Sequence, residues 1–204
     1  MEVDVKEWLK EKGKVFLRGI GIKEGQVVLD FGCNVGHYAI PAAEVVGKQG
    51  KVYAMDKDIG LLNELMHTAK TMNLKNIVPM HARSEELKIK LDDESVDVIL
   101  VYDVLHYFNA IERNKIYNEF YRVLKKNGLL FVYPKHNKSD EPLWNLANMQ
   151  LEDIIKEIES AKLSLEGKFY KKLIHDNYCN NGYILHFTKK DYDIIINANE
   201  KKYL

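Results

Sequence analysis

The chain has 204 residues, which suits one compact domain with a small extension, and 46% of them are apolar, enough for a sizeable core. Thirty basic side chains balance thirty acidic ones, so no overall charge favours nucleic acid or an anionic membrane as a partner. Two cysteines exclude a disulfide framework, and no apolar run is long enough to span a bilayer, so we expect a soluble protein of the reducing cytoplasm.

The first predicted element is an amphipathic helix from Val5 to Arg18, with Trp8, Leu9, Val15 and Phe16 on its apolar side. The charged residues that precede it lack the apolar core of a secretory leader. The helix lies before the predicted sheet, so it either covers the active site or caps the sheet. We favour a helical cap formed by residues 1–22.

A buried strand, Val27–Phe31, leads into a glycine-containing turn and then into an apolar helix, residues 36–46. Its residues are β-branched or apolar except for Asp30. Gly32 permits a positive φ or a close approach of a ligand, and the start of the helix offers unpaired N–H groups. These three elements together form half of a nucleotide-binding βαβ unit.

The turn lacks two common nucleotide-binding patterns. The dinucleotide fingerprint G-x-G-x-x-G would need glycine in place of Asn34 and His37, and no Gly-Lys-Ser/Thr of a P-loop follows. The pattern Asp30-x-Gly32-x-Asn34-x-Gly36 resembles the first motif of class I S-adenosylmethionine-dependent methyltransferases, D/E-x-G-x-G-x-G. The resemblance implies that this loop holds the methionine end of S-adenosylmethionine; a generic α/β turn is the alternative. Asn34 replaces the middle glycine, and asparagine tolerates the left-handed conformation.

An acidic residue ends the second predicted strand. Lys51–Met55 runs into Asp56, and ligands of open α/β sheets bind beyond the carboxyl ends of strands. Asp58 suits the N-cap of the next helix, Ile59–Met72, which leaves Asp56 free for a ligand. In the family that the sequence resembles, an acid at this point accepts hydrogen bonds from both ribose hydroxyls, and we assign that role to Asp56 over helix capping.

The loop after the third predicted strand, Ile77–His81, departs from the family pattern. The family often has G-D-A-x-x-L here, and its aspartate meets the adenine amine. Arg83 stands in that place, and an arginine cannot accept a hydrogen bond. It either stacks on adenine or turns outward, and the backbone near Ser84 is the alternative adenine contact.

The fourth predicted strand, Val96–Val101, is almost continuously apolar, as a central parallel strand should be. The stretch from Asp97 to His106 resembles the fourth motif of small-molecule and quinone-type methyltransferases. It lacks the N/D-P-P-Y signature of enzymes that methylate amino groups of DNA, glutamine or adenine. The resemblance places the backbone near Tyr102 at the methionine amine. His106 is the one weak candidate for a general base; a packed histidine is the alternative.

The C-terminal half completes the predicted sheet. A helix, Ile111–Lys126, ends at Asn127-Gly128, and Arg122-Val-Leu-Lys-Lys-Asn-Gly128 resembles the family's R-V-L-K-P-G-G before its fifth strand. A helix from Gln150 to Leu163 precedes two strand-like runs, Leu165–Ile174 and Gly182–Lys189, which we expect to pair as an antiparallel hairpin. We therefore predict an α/β fold, with a Rossmann-like seven-stranded sheet, mostly parallel, and helices on both faces. Residues 23–190 form the methyltransferase domain, and 191–204 a tail that is either a short extra element or an oligomer contact.

The resemblance names the cofactor, S-adenosyl-L-methionine, and a set of residues for it. Those residues are Asp30, Gly32, Cys33, Asn34, Gly36, Asp56, Lys57, Arg83, Ser84 and Tyr102. We expect no metal, because the sequence shows no cluster of cysteine and histidine at ligand spacing. Cys33 is a loop residue without an identifiable base, not a nucleophile. Five residues are unranked candidates for the acceptor pocket: Tyr133, Lys135, His136, His175 and Tyr178.

These assignments predict an enzyme that moves a methyl group by in-line displacement to a small molecule, with no nucleic-acid partner and with a homo-oligomer left open. Two other classes stay open. One is a binding module that holds the cofactor without turnover. The other is a nicotinamide-dependent oxidoreductase, which the missing fingerprint and the C-terminal hairpin disfavour.

Overall fold

The computed structural model describes residues 3–82 and 87–190. Its centre is one seven-stranded sheet with the order β3-β2-β1-β4-β5-β7-β6. The first five strands are parallel, and β7 runs antiparallel to both β5 and β6. The strands are β1 Val27–Phe31, β2 Lys51–Asp56, β3 Ile77–His81, β4 Val96–Tyr102, β5 Leu124–Tyr133, β6 Leu163–His175 and β7 Tyr178–Lys189. The predicted mostly parallel sheet with a final antiparallel hairpin is confirmed.

Six α-helices cover both faces of the sheet in the described residues. They are α1 Val3–Glu7, α2 Gly13–Gly19, α3 Ala39–Val46, α4 Ile59–Thr71, α5 Ala110–Val123 and α6 Leu151–Ser160. A π-helical turn, Trp8–Lys12, joins α1 to α2, and 3₁₀ turns occupy Leu105–Tyr107 and Trp144–Leu146. Residues of α1 to α4 pack on one face, and residues of α5 and α6 pack on the other. Within these ranges no helix is long and apolar enough to cross a membrane.

The central strand β4 shows why the sequence folds this way. Val98 and Leu100 join the core under the N-terminal helices, whereas Ile99 and Val101 join the core under α5 and α6. Successive strand residues point to opposite faces, so a strand covered on both sides has to be apolar throughout. The continuous apolar run in the sequence is the consequence.

Several predicted boundaries were wrong, for local reasons. The predicted helix to Lys126 ends at Val123, because Leu124 is already extended and pairs with Val96 of β4. The expected stop at Asn127-Gly128 therefore lies inside β5. The helix predicted from residue 36 begins at Ala39. Val15 was expected on the apolar side of the first helix but is 59% exposed, and Leu17 is buried there instead.

The last two strands extend well beyond the sheet. β5 pairs with Leu185–Thr188 of β7, while the pairing of β7 with β6 continues out to His175 and Tyr178. We call this overhang, residues 168–184, the hairpin arm. The Tyr38 hydroxyl donates to the carbonyl of Ile174 at 2.8 Å, and the Cys179 N–H donates to the Asp4 carboxylate at 2.9 Å. These contacts hold the arm against the N-terminal helices, beyond the carboxyl ends of the parallel strands.

Candidate functional site

The loop after β1 is built by backbone conformations that its sequence allows. Gly32 and Gly36 have positive φ, and so does Asn34 at +50°, as its place in the motif predicts. The N–H groups of Gly32 and Cys33 both donate to the carbonyl of Met55, at 2.8 and 3.0 Å. A Cβ atom on Gly32 would lie 2.5 Å from Cγ2 of Val104, so only glycine fits.

Asp56 joins the ends of two neighbouring strands. Its Oδ2 accepts the Asn34 N–H at 2.9 Å, and its Oδ1 accepts the Asp58 N–H at 3.0 Å. The expectation that Asp56 is wholly free was therefore wrong, because the carboxylate also holds the glycine loop in place. A carboxylate offers about four lone-pair sites, so acceptor capacity remains for two hydroxyl groups. The predicted cap is present, since the Asp58 carboxylate accepts the Gly60 and Leu61 N–H groups.

Asp30 is a buried acid with an unused oxygen. It is 2% exposed, and its Oδ2 has no hydrogen-bond partner in the described structure. Burial first, and then the negative charge of Asp56, raise the pKa of Asp30 to about 7 despite a hydrogen bond from the Ala39 N–H. An orphaned carboxylate oxygen beside the glycine loop fits a cationic or hydrogen-bond-donating ligand group.

The remaining predicted cofactor residues differ in what the structure shows of them. Cys33 is buried, and burial raises the pKa of its thiol, so it is not an activated nucleophile. The Lys57 ammonium lies 4.8 Å from the centre of the Tyr107 ring. The buried Tyr102 ring packs against that of Tyr38, 4.5 Å away, and the contact of its backbone with the methionine amine stays a prediction. Arg83 and Ser84 lie outside the described residues.

A cluster that the sequence analysis missed lies directly after β4. Asp103 has a φ of +54°, and its carboxylate faces three imidazole rings. Its Oδ2 lies 2.6 Å from Nδ1 of His175, whereas its Oδ1 lies 3.5 Å from Nε2 of His136 and 3.6 Å from Nδ1 of His106. The hydrogen bond to Asp103 raises the pKa of His175. The sequence did contain a signal for Asp103, because it is an acid that directly follows a buried central strand, and ligands of such sheets bind at the carboxyl ends of the strands.

His106 shows the packing that was one of its two predicted roles. It is 3% exposed and lies 4.2 Å from the Tyr107 ring and 5.3 Å from the Trp144 ring, so it is a packed histidine. Its Nδ1 nevertheless has no hydrogen-bond partner among the described residues. Burial lowers the pKa of His106 to about 4, although Asp103 acts in the opposite direction. The ring is therefore neutral near pH 7, and its role as a base stays a prediction.

The predicted acceptor residues separate into two groups. His136 and His175 face Asp103, and Tyr178 approaches His175 with ring centres 5.5 Å apart. Lys135 is buried in ion pairs with Asp140 at 2.7 Å and Glu141 at 3.2 Å. These two acids satisfy the charge of Lys135, and its place in the acceptor pocket stays a prediction. The Tyr133 hydroxyl contacts Asn180 of the hairpin arm.

A separate cleft of about 780 Å³ lies near the amino end of β4. It is lined by Tyr53, residues 88–93, Ser95 and Arg122. None of the predicted site residues that the structure describes lines it, and ligands of such sheets bind at the opposite, carboxyl edge. We therefore place the functional site at the carboxyl edge and not in this cleft.

Comparison with known proteins identifies the family of the chain. The family model for a methyltransferase domain matches residues 28–128. A demethylmenaquinone methyltransferase of Geobacillus stearothermophilus is 26% identical over 123 residues, which are 60% of this chain and 49% of that protein. The chain thus spans about half the length of the curated relatives that it matches.

Solved structures share the fold over a larger part of the chain. A methyltransferase from Aquifex aeolicus, described as dependent on S-adenosylmethionine, has a TM-score of 0.69 and 26% identity, and the match covers 91% of this chain and 93% of that one. The [4+2]-cyclase SpnF has a TM-score of 0.70 but 14% identity, over 88% of this chain and 80% of that one, so this likeness concerns the fold alone. With its matched domain, its sheet topology and the first-motif loop at the end of β1, the chain belongs to the class I S-adenosylmethionine-dependent methyltransferases.

Proposed function

We propose that the protein binds S-adenosylmethionine at the carboxyl edge of β1 and β2 and transfers its methyl group to a small molecule. The observation that carries the proposal is the pair of acids at these two strand ends. Asp30 keeps a buried oxygen without a partner, and Asp56 keeps acceptor capacity while it holds the glycine loop. Two acids on neighbouring strands suit the two polar ends of this cofactor, its amino-acid part and its ribose.

The cofactor would supply an activated methyl group on its sulfonium. The chain's contribution is then to bind, to orient and to exclude water. Asp30 and the loop from Gly32 to Gly36 would hold the methionine part, and Asp56 would hold the ribose. The hairpin arm lies beyond the carboxyl ends of the parallel strands, where hydrogen bonds with Tyr38 and Asp4 hold it. Asp103 and the histidines that face it lie where an acceptor would meet the methyl group.

A small acceptor suits the enclosure of this place. His106 is buried under Tyr107 and Trp144, and His175 is buried at the end of β6. A nucleic acid would need an open basic surface, whereas acidic and basic residues are equal in number. Quinone-type acceptors form one class for a first assay panel, because the curated relatives include demethylmenaquinone methyltransferases.

Calorimetric titration with S-adenosylmethionine tests the binding step. Asp56→Asn leaves one oxygen for the two backbone donors and for ribose, so we expect binding at least tenfold weaker, since a lost hydrogen bond to a charged group costs about 1.5–3 kcal/mol. Asp58→Asn is the matched control, because asparagine caps a helix as well as aspartate and leaves Asp56 intact. Equal affinities for the two variants would contradict the assignment. Binding without transfer to any acceptor of a broad panel would favour the non-catalytic module.

A further inference from the structure

We propose that Asp103, His136 and His175 form a binding site for a divalent transition-metal ion of the zinc type. One ligand atom from each of the three residues lies within 4.8 Å of the other two. The three residues come from different parts of the chain: the end of β4, the loop after β5 and the last residue of β6. Two imidazole nitrogens and one carboxylate are a ligand set for zinc, iron(II) or cobalt(II), and not for calcium or magnesium, which take oxygen ligands.

The two distances from Oδ1 of Asp103 are too long for hydrogen bonds and close to the spacing of two ligands on one metal ion. Oδ1 of Asp103 lies 3.5 Å from Nε2 of His136 and 3.6 Å from Nδ1 of His106, too long for hydrogen bonds. Two ligands bonded to one tetrahedral zinc ion at about 2.0–2.1 Å are about 3.3 Å apart. In the part of the chain that the structure describes, both Oδ1 of Asp103 and Nδ1 of His106 are buried without a hydrogen-bond partner, which is costly unless another group meets them. A cation between these atoms would satisfy the carboxylate oxygen.

The orientation of His136 prepares it as a ligand. Its Nδ1 lies 2.8 Å from the carbonyl of Glu141, and a carbonyl can only accept, so Nδ1 carries the hydrogen. In the neutral ring Nε2 then has its lone pair free, and Nε2 is the atom that faces Asp103. A hydrogen bond from the distal ring nitrogen to a carbonyl is the usual support of a metal-bound histidine.

One contact has to change on binding. Nδ1 of His175 and Oδ2 of Asp103 are 2.6 Å apart, which is a hydrogen bond and about 0.7 Å shorter than the spacing of two zinc ligands. The ion would take the place of the hydrogen on Nδ1, which in the neutral ring moves to Nε2, and the two residues would separate slightly. The alternative is that this pair is a hydrogen-bonded Asp–His contact and nothing more, and the experiment below distinguishes the two.

Three protein ligands leave a coordination position open, as in catalytic zinc sites. That position lies beside the end of β4, where the proposed function places the methyl acceptor. If the proposed function holds, the open position suits an acceptor with a hydroxyl or thiol group, because coordination lowers the pKa of such a group and makes it a better nucleophile. The metal site itself does not depend on this step.

Cobalt(II) titration of the full chain, freed of metal by a chelator and of any affinity tag, tests the site. Coordination by imidazole and carboxylate produces visible ligand-field absorption, which Zn²⁺ should abolish by displacement. We expect one equivalent to bind. Asp103→Asn, which retains the volume and tolerates the positive φ, and His175→Gln should each weaken binding at least tenfold. His67→Gln, an exposed histidine of α4, is the matched control and should leave the titration unchanged.

The outcomes separate this proposal from the proposed function. Absence of cobalt absorption in the wild-type protein, or equal binding by wild type and by both ligand variants, would overturn the metal site. Circular dichroism of each variant shows that it has folded before its titration is interpreted. Binding of S-adenosylmethionine is measured on the same metal-free protein, where the metal proposal predicts no loss of affinity. A protein that binds cobalt at these residues but not the cofactor would refute the proposed function and leave the metal site standing.

Discussion

Replacement of Gly32 by alanine should destabilise the protein more than its backbone conformation alone accounts for. Gly32 has a φ of +78°, and a Cβ atom there would lie 2.5 Å from Cγ2 and 2.8 Å from Cβ of Val104. Gly25 provides a matched comparison, since its φ is +81° and nothing lies within 4 Å of the position of its Cβ. The two substitutions thus share the backbone strain, and only Gly32→Ala adds the collision.

The magnitudes follow from these two contributions. A left-handed conformation costs a residue with a Cβ about 1–2 kcal/mol, which both variants should show. Overpacking costs about 1–3 kcal/mol, so Gly32→Ala should lose that much more free energy of unfolding than Gly25→Ala. Urea unfolding without any cofactor measures both. Val104→Ala removes the nearest atom of the collision but leaves its Cβ, so we expect it to restore part of the loss in the Gly32→Ala background.

Two results would refute this reasoning. Equal losses for Gly32→Ala and Gly25→Ala would show that the loop moves aside at no cost. Additive losses for Gly32→Ala and Val104→Ala in the double variant would show that the two side chains do not meet, because residues in contact give non-additive effects.

Three further predictions concern buried polar groups. The folded protein holds the Asp30 proton up to about pH 7, whereas the unfolded chain releases it near the ordinary pKa of an aspartate, so this residue lowers the stability of the fold as the pH rises from about 4 to 7. Asp30→Asn should therefore gain stability relative to wild type between pH 4.5 and 8 in urea unfolding; a pH-independent difference would contradict this. Tyr38→Phe removes a buried hydrogen bond to the hairpin arm, so it should lower the free energy of unfolding by about 1 kcal/mol and speed hydrogen exchange in the arm. Tyr102→Phe removes a hydroxyl that has no partner among the described residues, so it should lower the free energy of unfolding less. The reverse order of the two losses would refute the anchoring role of Tyr38. Arg113→Lys should cost about 2 kcal/mol of unfolding free energy, because lysine cannot reproduce the two-pronged contact with Glu157, and a loss below about 0.5 kcal/mol would show that the contact adds little.

The sequence predicted those parts of the fold that depend on local patterns. The bounds of β1 and β3 agree with the prediction, because each is a short run bounded by turn residues. Asp58 caps α4 as expected, since a cap depends on the N–H groups that directly follow it. The end of α5 was missed because the pairing of Leu124 with Val96, a contact between distant segments, overrides the local stop signal.

Of the candidate site, only the residues proposed for the cofactor were predictable from the sequence. Asp30 and Asp56 follow directly from strand ends and from the resemblance of the loop to a known motif. His175 meets Asp103 because β6 and β7 remain paired beyond β5, which carries the end of β6 to the end of β4. Contacts between distant residues, such as the hydrogen bond from Tyr38 to Ile174, hold the hairpin arm there, and the pattern of neighbouring residues does not reveal such contacts. The metal-ligand spacing is therefore visible only in three dimensions.

The acids Asp30 and Asp103 lie at the ends of neighbouring strands, yet their negative charges are balanced in different ways. No cation of the described structure meets the free oxygen of Asp30, so the folded protein keeps this acid protonated up to about pH 7. Asp103 faces three imidazole rings and hydrogen-bonds to one of them. A buried carboxylate is stable only with a proton or a partner of positive charge. Asp30 therefore suits a cationic cofactor that binds from solution, and Asp103 suits a metal ion held by the protein. The two proposals thus rest on two different carboxylates at one edge of the sheet.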